Sequence, residues 1–268
     1  CGGAVYLEPP RLNTRGLATT VLRQPMASAE PRARLATSPS KAGSTALFVL
    51  LAVATAAVLV GTIQVMAFRA PVEATMGIVQ KIFYFHVPAA YAMYLGAAAC
   101  FVGSAVYLAK GSRRADAIAR AGAEVAVVMG IMVMTSGPLW AAKAWGVYWT
   151  WDPRLTTSML SVLVYVAYVV LRAFTGGGDA ERKFAAALGI LGAANLPIIH
   201  FSVRKWGGTH PQVITGRGGG LSHPDMKLAL MLGFLAFTLL TVVLIWLRAR
   251  QDLAKSRLEA AEEEAMDA

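Results

Sequence analysis

Residues 144–156 read AWGVYWTWDPRLT, placing Trp145, Tyr148, Trp149 and Trp151 within seven positions and following them with Asp152, Pro153 and Arg154. Aromatic faces at this density suit the stacking of a flat apolar ligand, and Arg154 beside them suits an acidic group at its edge. Four histidines, His86, His200, His210 and His223, offer ring nitrogens for a metal or for structural hydrogen bonds. Two cysteines, Cys1 and Cys100, make no disulfide framework, and no CxxCH is present, so the chain is not itself a c-type cytochrome. No nucleophile paired with a base and no acid–base pair is visible, which points to a binding or carrier protein rather than an enzyme.

The elements that must position these residues are membrane helices. Of the 268 residues 15% are charged and 56% hydrophobic, and the mean hydropathy is +0.54. Uncharged runs over 42–68, 82–109, 125–142, 155–171, 184–203 and 228–247 approach or exceed the roughly 20 residues that cross a bilayer as helix. The expected fold is therefore an all-α integral membrane protein with six transmembrane helices. An even number of spans puts both termini on one side. The tail before 42, the segments 110–120 and 172–183, and the segment from 248 onward hold 17 Lys and Arg, against 8 in the remaining segments. Basic segments resist translocation, so the first set is expected to be cytoplasmic and the second external. The net charge of +10 is then a topology signal spread over membrane flanks, not a nucleic-acid surface.

Three regions follow from this. Residues 1–41 read as a disordered cytoplasmic tail, or partly as upstream sequence if translation starts at Met26; 42–250 form the six-helix membrane domain; 251–268 read as a solvated, frayed helix end that forms the cytoplasmic C-terminal tail.

The aromatic stretch falls in the middle external segment, between spans three and four. Asp152 before Pro153 is a helix start, with the carboxylate as cap and proline in the first turn. If the residues before it form a short surface helix, Trp145, Tyr148, Trp149 and Asp152 share one face and Trp151 points elsewhere. An interfacial aromatic belt accounts for one or two rings but not for a set so tightly spaced. Gly146 among them would let a ligand approach the backbone closely. Asp152 is expected to cap span four and fix the loop, so that asparagine, which still caps, is a gentler change than alanine.

All four histidines lie at or near the external side. For a lone histidine in such a stretch, a structural hydrogen bond is the ordinary role. The ligand that would use the whole set is flat and apolar, with a metal that takes nitrogen above and below its plane and acidic groups at its edge. Haem fits, because iron in a b-type site can take two imidazoles. Arg154, Lys143, Arg204, Lys205 and Arg217 are external cations that could pair with propionates or, equally, with membrane lipid headgroups.

The segments FHVPAA at 85–90, WGVYWTWDPRLT at 145–156 and NLPIIHFSV at 195–203 followed by His210 resemble the haem-handling membrane proteins with a tryptophan-rich WWD segment. Within them, the chain is most similar to the haem exporter protein C (CcmC) family of cytochrome c maturation. The similarity covers residues 45 to about 250. It implies non-covalent, bis-histidine haem b held on the external, periplasmic face of a multi-pass protein of the bacterial inner membrane. It also implies delivery to the periplasmic haem chaperone CcmE, in company with the ABC-type complex CcmABD. The axial ligands it implies are His86 and His210, with His200 and His223 structural and the His200 ring bonding a neighbouring helix. Trp145, Gly146, Tyr148, Trp149, Trp151 and Asp152 would form the haem platform, with Arg154 beside it.

Tyr148 stands where many members have tryptophan, KWGGTHPQ replaces a loop expected to carry a second aromatic residue and asparagine, and the long N-terminal tail is not typical. Two alternatives remain. A CcsA-like cytochrome c synthase subunit shares WDP but implies a Lys-Glu pair after it, where this chain has Arg154, Leu155 and Thr156. A b-type electron-transfer cytochrome would need paired histidines on facing helices within the bilayer, where only His200 could lie.

Overall fold

A computed structural model describes residues 39–174, 178–210 and 221–267. The tail expected over 1–41 lies outside the described residues up to position 38, as does Arg217. Six helices account for nearly all of the described chain: α1 (Pro39–Gln64), α2 (Phe83–Lys110), α3 (Arg113–Trp145), α4 (Pro153–Phe174), α5 (Asp179–Trp206) and α6 (Pro224–Met266). All six are long and apolar enough to cross a membrane. The chain is a multi-pass, all-α membrane protein.

The helices outrun the apolar runs that mark them. α3 begins at Arg113, capped by the Ser112 hydroxyl, which accepts from the Ala115 N–H, so only Gly111 and Ser112 separate it from α2. α6 continues through the tail expected from 251 to Met266. Lys, Arg, Glu and Ala are good helix formers, and hydropathy marks only the part of a helix that meets lipid.

α2 packs along α3 and α4 along α5, and both α5 and α6 close on α2. The α2–α3 seam is backbone against backbone. A Cβ on Gly96 would sit 2.8 Å from the Ala126 nitrogen, and one on Gly122 would sit 2.6 Å from the Cys100 nitrogen and the Gly96 oxygen. Ala97, Ala119, Ala123 and Ala126 fill the rest of this seam. Such close approach maximises packing where lipid leaves no hydrophobic drive between helices. α6 makes a similar approach to α2, where a Cβ on Gly233 would lie 2.7 Å from the Tyr84 carbonyl oxygen. α1 is peripheral, and an edge-to-face contact of Phe48 with Trp246 ties it to α6.

At the end of the bundle away from the tryptophan cluster, several charges are paired across helices. Asp116 of α3 is buried and meets Arg172 of α4 at 2.9 Å and Arg182 of α5 at 3.2 Å. Arg120 reaches Asp252 at 2.7 Å, and Arg248 bonds Glu124. Several of the basic residues counted as topology signals thus also join helices to one another.

Candidate functional site

At the tryptophan end a cavity of about 450 Å³ lies between the first turns of α2 and α4 and the last turns of α3 and α5. That volume falls in the range of about 300–1,000 Å³ usual for small-molecule sites. His86 of α2 and His210, just beyond α5, both line it. So do Trp145, Trp149 and Arg154, with Arg204 and His200 at the end of α5. The lining continues inward to Met93 and Tyr94, about 12 Å along α2 from His86 at 1.5 Å per residue.

The tryptophan stretch is not helical. Trp145 is the last residue of α3, and Gly146 ends that helix in the left-handed conformation at φ +76°. The chain then bends through 146–148 and runs irregularly to Pro153, the first residue of α4. Gly146 therefore serves as a helix terminator, with open space where its side chain would stand. Gly146, Tyr148, Trp151 and Asp152 do not line the cavity, and Tyr148 and Trp151 are 66% and 75% exposed. Trp151 packs edge-on to Trp149 at 5.8 Å between ring centres. Lys143 and Lys205 also lie outside the lining.

Asp152, 8% exposed, joins two loops. Its Oδ1 accepts from the Leu155 N–H at 2.9 Å, capping α4. Its Oδ2 accepts from the N–H groups of Thr209 and His210, both at 3.1 Å, and from the Thr209 hydroxyl at 3.2 Å. Gly207 and Gly208, at φ +74° and +147°, let the chain wrap onto the carboxylate; a Cβ at 208 would stand 2.9 Å from Oδ2. The Gly-Gly of KWGGTHPQ is what brings His210 under Asp152.

The two cavity histidines are held differently. The Nδ1 of His86 lies 2.8 Å from the Ser136 Oγ, and that hydroxyl donates its one hydrogen to the Met132 carbonyl at 2.6 Å. Ser136 can only accept from the ring, so Nδ1 of His86 carries the proton and Nε2 keeps its lone pair. Gly137 makes room for the ring, since a Cβ there would be 3.2 Å from Cε1. At His210, Nδ1 lies 3.3 Å from Nη1 of Arg154. Arg154 also donates from Nε to the Ile199 carbonyl at 3.3 Å and from Nη2 to the His200 carbonyl at 3.0 Å, which fixes its guanidinium on the end of α5.

His200 is exposed, and its ring meets Phe201 edge-on at 4.9 Å. Among the described residues its ring makes no hydrogen bond to a neighbouring helix, contrary to expectation. It lies at the cavity mouth, six residues before the end of α5, and not at depth. His223 caps α6, its Nδ1 accepting from the Asp225 N–H at 3.2 Å, and stays outside the cavity.

Sequence reasoning passed over Trp140, which lines the cavity and packs edge-on to Trp145 at 5.8 Å. Its place five residues before Trp145 was the available signal. Ser136 carries no sequence signal, being one more small residue in a long span.

The residues present suit haem. His86 offers an unprotonated nitrogen held by an outer hydrogen bond, as metal-binding histidines usually are. Among the described residues the Trp149 Nε1–H is buried without an acceptor, an orphan donor that a carboxylate would satisfy. Indole faces and apolar side chains make up most of the remaining wall.

The sequence model of a family described as Heme exporter protein C matches residues 32–264. Heme exporter protein C of Escherichia coli K12 is 34% identical over 209 residues, covering 75% of this chain and 81% of that protein. The protein of the same name from Bradyrhizobium diazoefficiens is 31% identical over 192 residues, 71% of this chain and 73% of its own. That from Rhodobacter capsulatus is 28% identical over 204 residues, 73% and 82%.

Proposed function

The chain belongs to the Heme exporter protein C family, and from that premise we propose that it holds haem b at its tryptophan end and passes it to a periplasmic haem chaperone, CcmE. Membership supports a role in haem handling for cytochrome c maturation, and in this reading the protein is a carrier. In this reading the cavity faces the periplasm from the bacterial inner membrane, with both termini cytoplasmic, and the protein works beside the ABC-type complex CcmABD. The excess of basic residues on the opposite flanks supports that orientation.

His86 and His210 would hold the iron. Trp145 and Trp149, with Trp140 behind them, stack on or edge the porphyrin, and Arg154 with the Trp149 Nε1–H receives a propionate. Iron bound between imidazoles supplies a reversible anchor, so no covalent bond to this chain is needed. The observation that carries the reading is that one cavity gathers His86, His210 and three tryptophans, with His86 already in the tautomer that leaves Nε2 open. Tyr148 and Trp151, exposed beside the mouth, are placed to meet an incoming partner or headgroups. A cavity at one end of the bundle does not favour the electron-transfer alternative, which needs histidines on facing helices within the bilayer.

The test is the absorption spectrum of the purified protein. Wild type and His223→Ala should show a six-coordinate, low-spin haem. His86→Ala and His210→Ala should show a five-coordinate or depleted one. A spectrum of His86→Ala identical to wild type rejects the assignment.

A further inference from the structure

Arginine has only donors, so the bond between Arg154 Nη1 and His210 Nδ1 requires that Nδ1 accept. A neutral ring that accepts at Nδ1 carries its proton on Nε2. Neither nitrogen of His210 is then open to a metal: Nδ1 is occupied by the guanidinium and Nε2 is protonated. His86 is in the opposite state, with Nδ1 donating to Ser136 and Nε2 open.

Joining a metal through Nε2 requires the His210 proton to move to Nδ1, where it would point at another donor. Joining through Nδ1 requires the guanidinium to leave outright. Both routes need Arg154 to release the ring. The natural competitor for Arg154 is an anion at the edge of the ligand, and the orphan Trp149 Nε1–H in the same cavity gives that anion a second donor.

We propose that Arg154 is a latch on His210, and that it makes the second axial bond conditional on a free carboxylate at the porphyrin edge. This rests on the haem reading above. His86 takes the iron first. A propionate then draws Nη1 away, the His210 proton passes from Nε2 to Nδ1 through solvent with no net gain or loss, and Nε2 forms its bond to iron. On delivery the order reverses: once the carboxylate leaves, Arg154 recaptures Nδ1 and restores the non-ligating tautomer. The latch thereby selects porphyrins with free acid groups, and it makes His210 the exchangeable ligand.

The experiment compares ferric haem with its dimethyl ester, both added to the purified full-length protein in detergent, and reads the low-spin, six-coordinate fraction. With haem, wild type should be low-spin. With the diester, the low-spin to high-spin ratio should fall about tenfold or more, the scale of losing competition for a charged hydrogen bond. Arg154→Met should restore the low-spin form with the diester, because the guanidinium then no longer holds Nδ1. His210→Ala should give the same high-spin diester spectrum as wild type. An equal low-spin fraction for haem and diester in wild type overturns the latch, and that comparison needs no variant. If His210→Ala leaves the ferric haem spectrum unchanged, the axial assignment fails instead, which separates the two failures.

Discussion

Replacing Asp152 by asparagine tests whether this carboxylate serves as a cap or as a bridge. The two roles use different oxygens: Oδ1 takes the Leu155 N–H, and Oδ2 takes two backbone N–H groups and a hydroxyl from Thr209 and His210. Asparagine has one acceptor oxygen. If it caps α4, its amide hydrogens face the Thr209 and His210 N–H donors; if it turns to accept those, the cap is lost. A lost cap costs about 1 kcal/mol. Each hydrogen bond to a charged acceptor is worth about 1.5–3 kcal/mol, so losing the two backbone bonds to the loop costs about 3 kcal/mol even at the low end. At about 1.4 kcal/mol per tenfold, the ratio of anchored to released loop falls roughly a hundredfold.

The asparagine should therefore turn its one oxygen to the loop and give up the cap, so that Asp152→Asn keeps His210 in place while Asp152→Ala releases it. Asparagine is then the gentler change because it keeps the bridge, not because it keeps the cap. The assay is the low-spin fraction and the haem retained through gel filtration, with the thermal midpoint of the bundle as a control. If Asp152→Asn loses the low-spin spectrum and the retained haem as fully as Asp152→Ala, the bridging argument is wrong.

Ser136→Ala removes the acceptor that fixes the His86 tautomer, and outer partners of metal-bound histidines typically contribute 10–100-fold in affinity. Haem affinity should drop by about that factor without a change in the thermal midpoint; unchanged affinity would show that the Ser136 bond is incidental. Asp116→Ala strips the nearer of two carboxylates from buried Arg172 and leaves Glu181 at 3.6 Å, so the cost should fall at or below the low end of the about 3–5 kcal/mol typical of breaking a buried pair. The midpoint should fall while the haem spectrum of the remaining folded protein stays intact, since the pair sits at the far end of the bundle; a large spectral change would show that the two ends are coupled. In sealed cells an impermeant thiol reagent should label cysteine introduced at Val147 or Lys205 but not at Arg114, and labelling at 114 would invert the proposed orientation.

The six spans were legible because bilayer thickness imposes length and apolarity together. Their true ends were legible only in part: Arg113 to Glu124 is too charged to register as a span yet is helical, and the helix end read over 251–268 runs on unbroken from α6 to Met266. Around the site, the residues with unusual chemistry stood out and the residues that aim them did not. His86, Trp145, Trp149 and Arg154 are visible as types, and the structure gathers them around one cavity. The helical spacing of Trp145, Tyr148, Trp149 and Asp152 misled, because Gly146 closes one helix and Asp152 opens the next, leaving no room for a third. The contact of Asp152 with His210 spans 58 positions, and the Ser136 contact with His86 spans 50. Contacts at such separation leave no local pattern.

The α2–α3 seam sets a tolerance on the site. Between Gly122 and Cys100 there is no cushion of side chain to absorb an error: to bring a Cβ at 122 from 2.6 Å to an ordinary 3.4 Å, the helices would have to part by about 0.8 Å. The His86 to Ser136 bond, at 2.8 Å, has about 0.7 Å before it passes 3.5 Å and ceases to count as a hydrogen bond. The two margins are nearly equal. A single methyl group at the seam, about 21 Å along α3 from Ser136, would consume the whole dimensional allowance of a histidine it never touches. The glycines of that seam work like a machinist's gauge block, and their mutational latitude is set by the His86 end of the molecule as much as by their own surroundings.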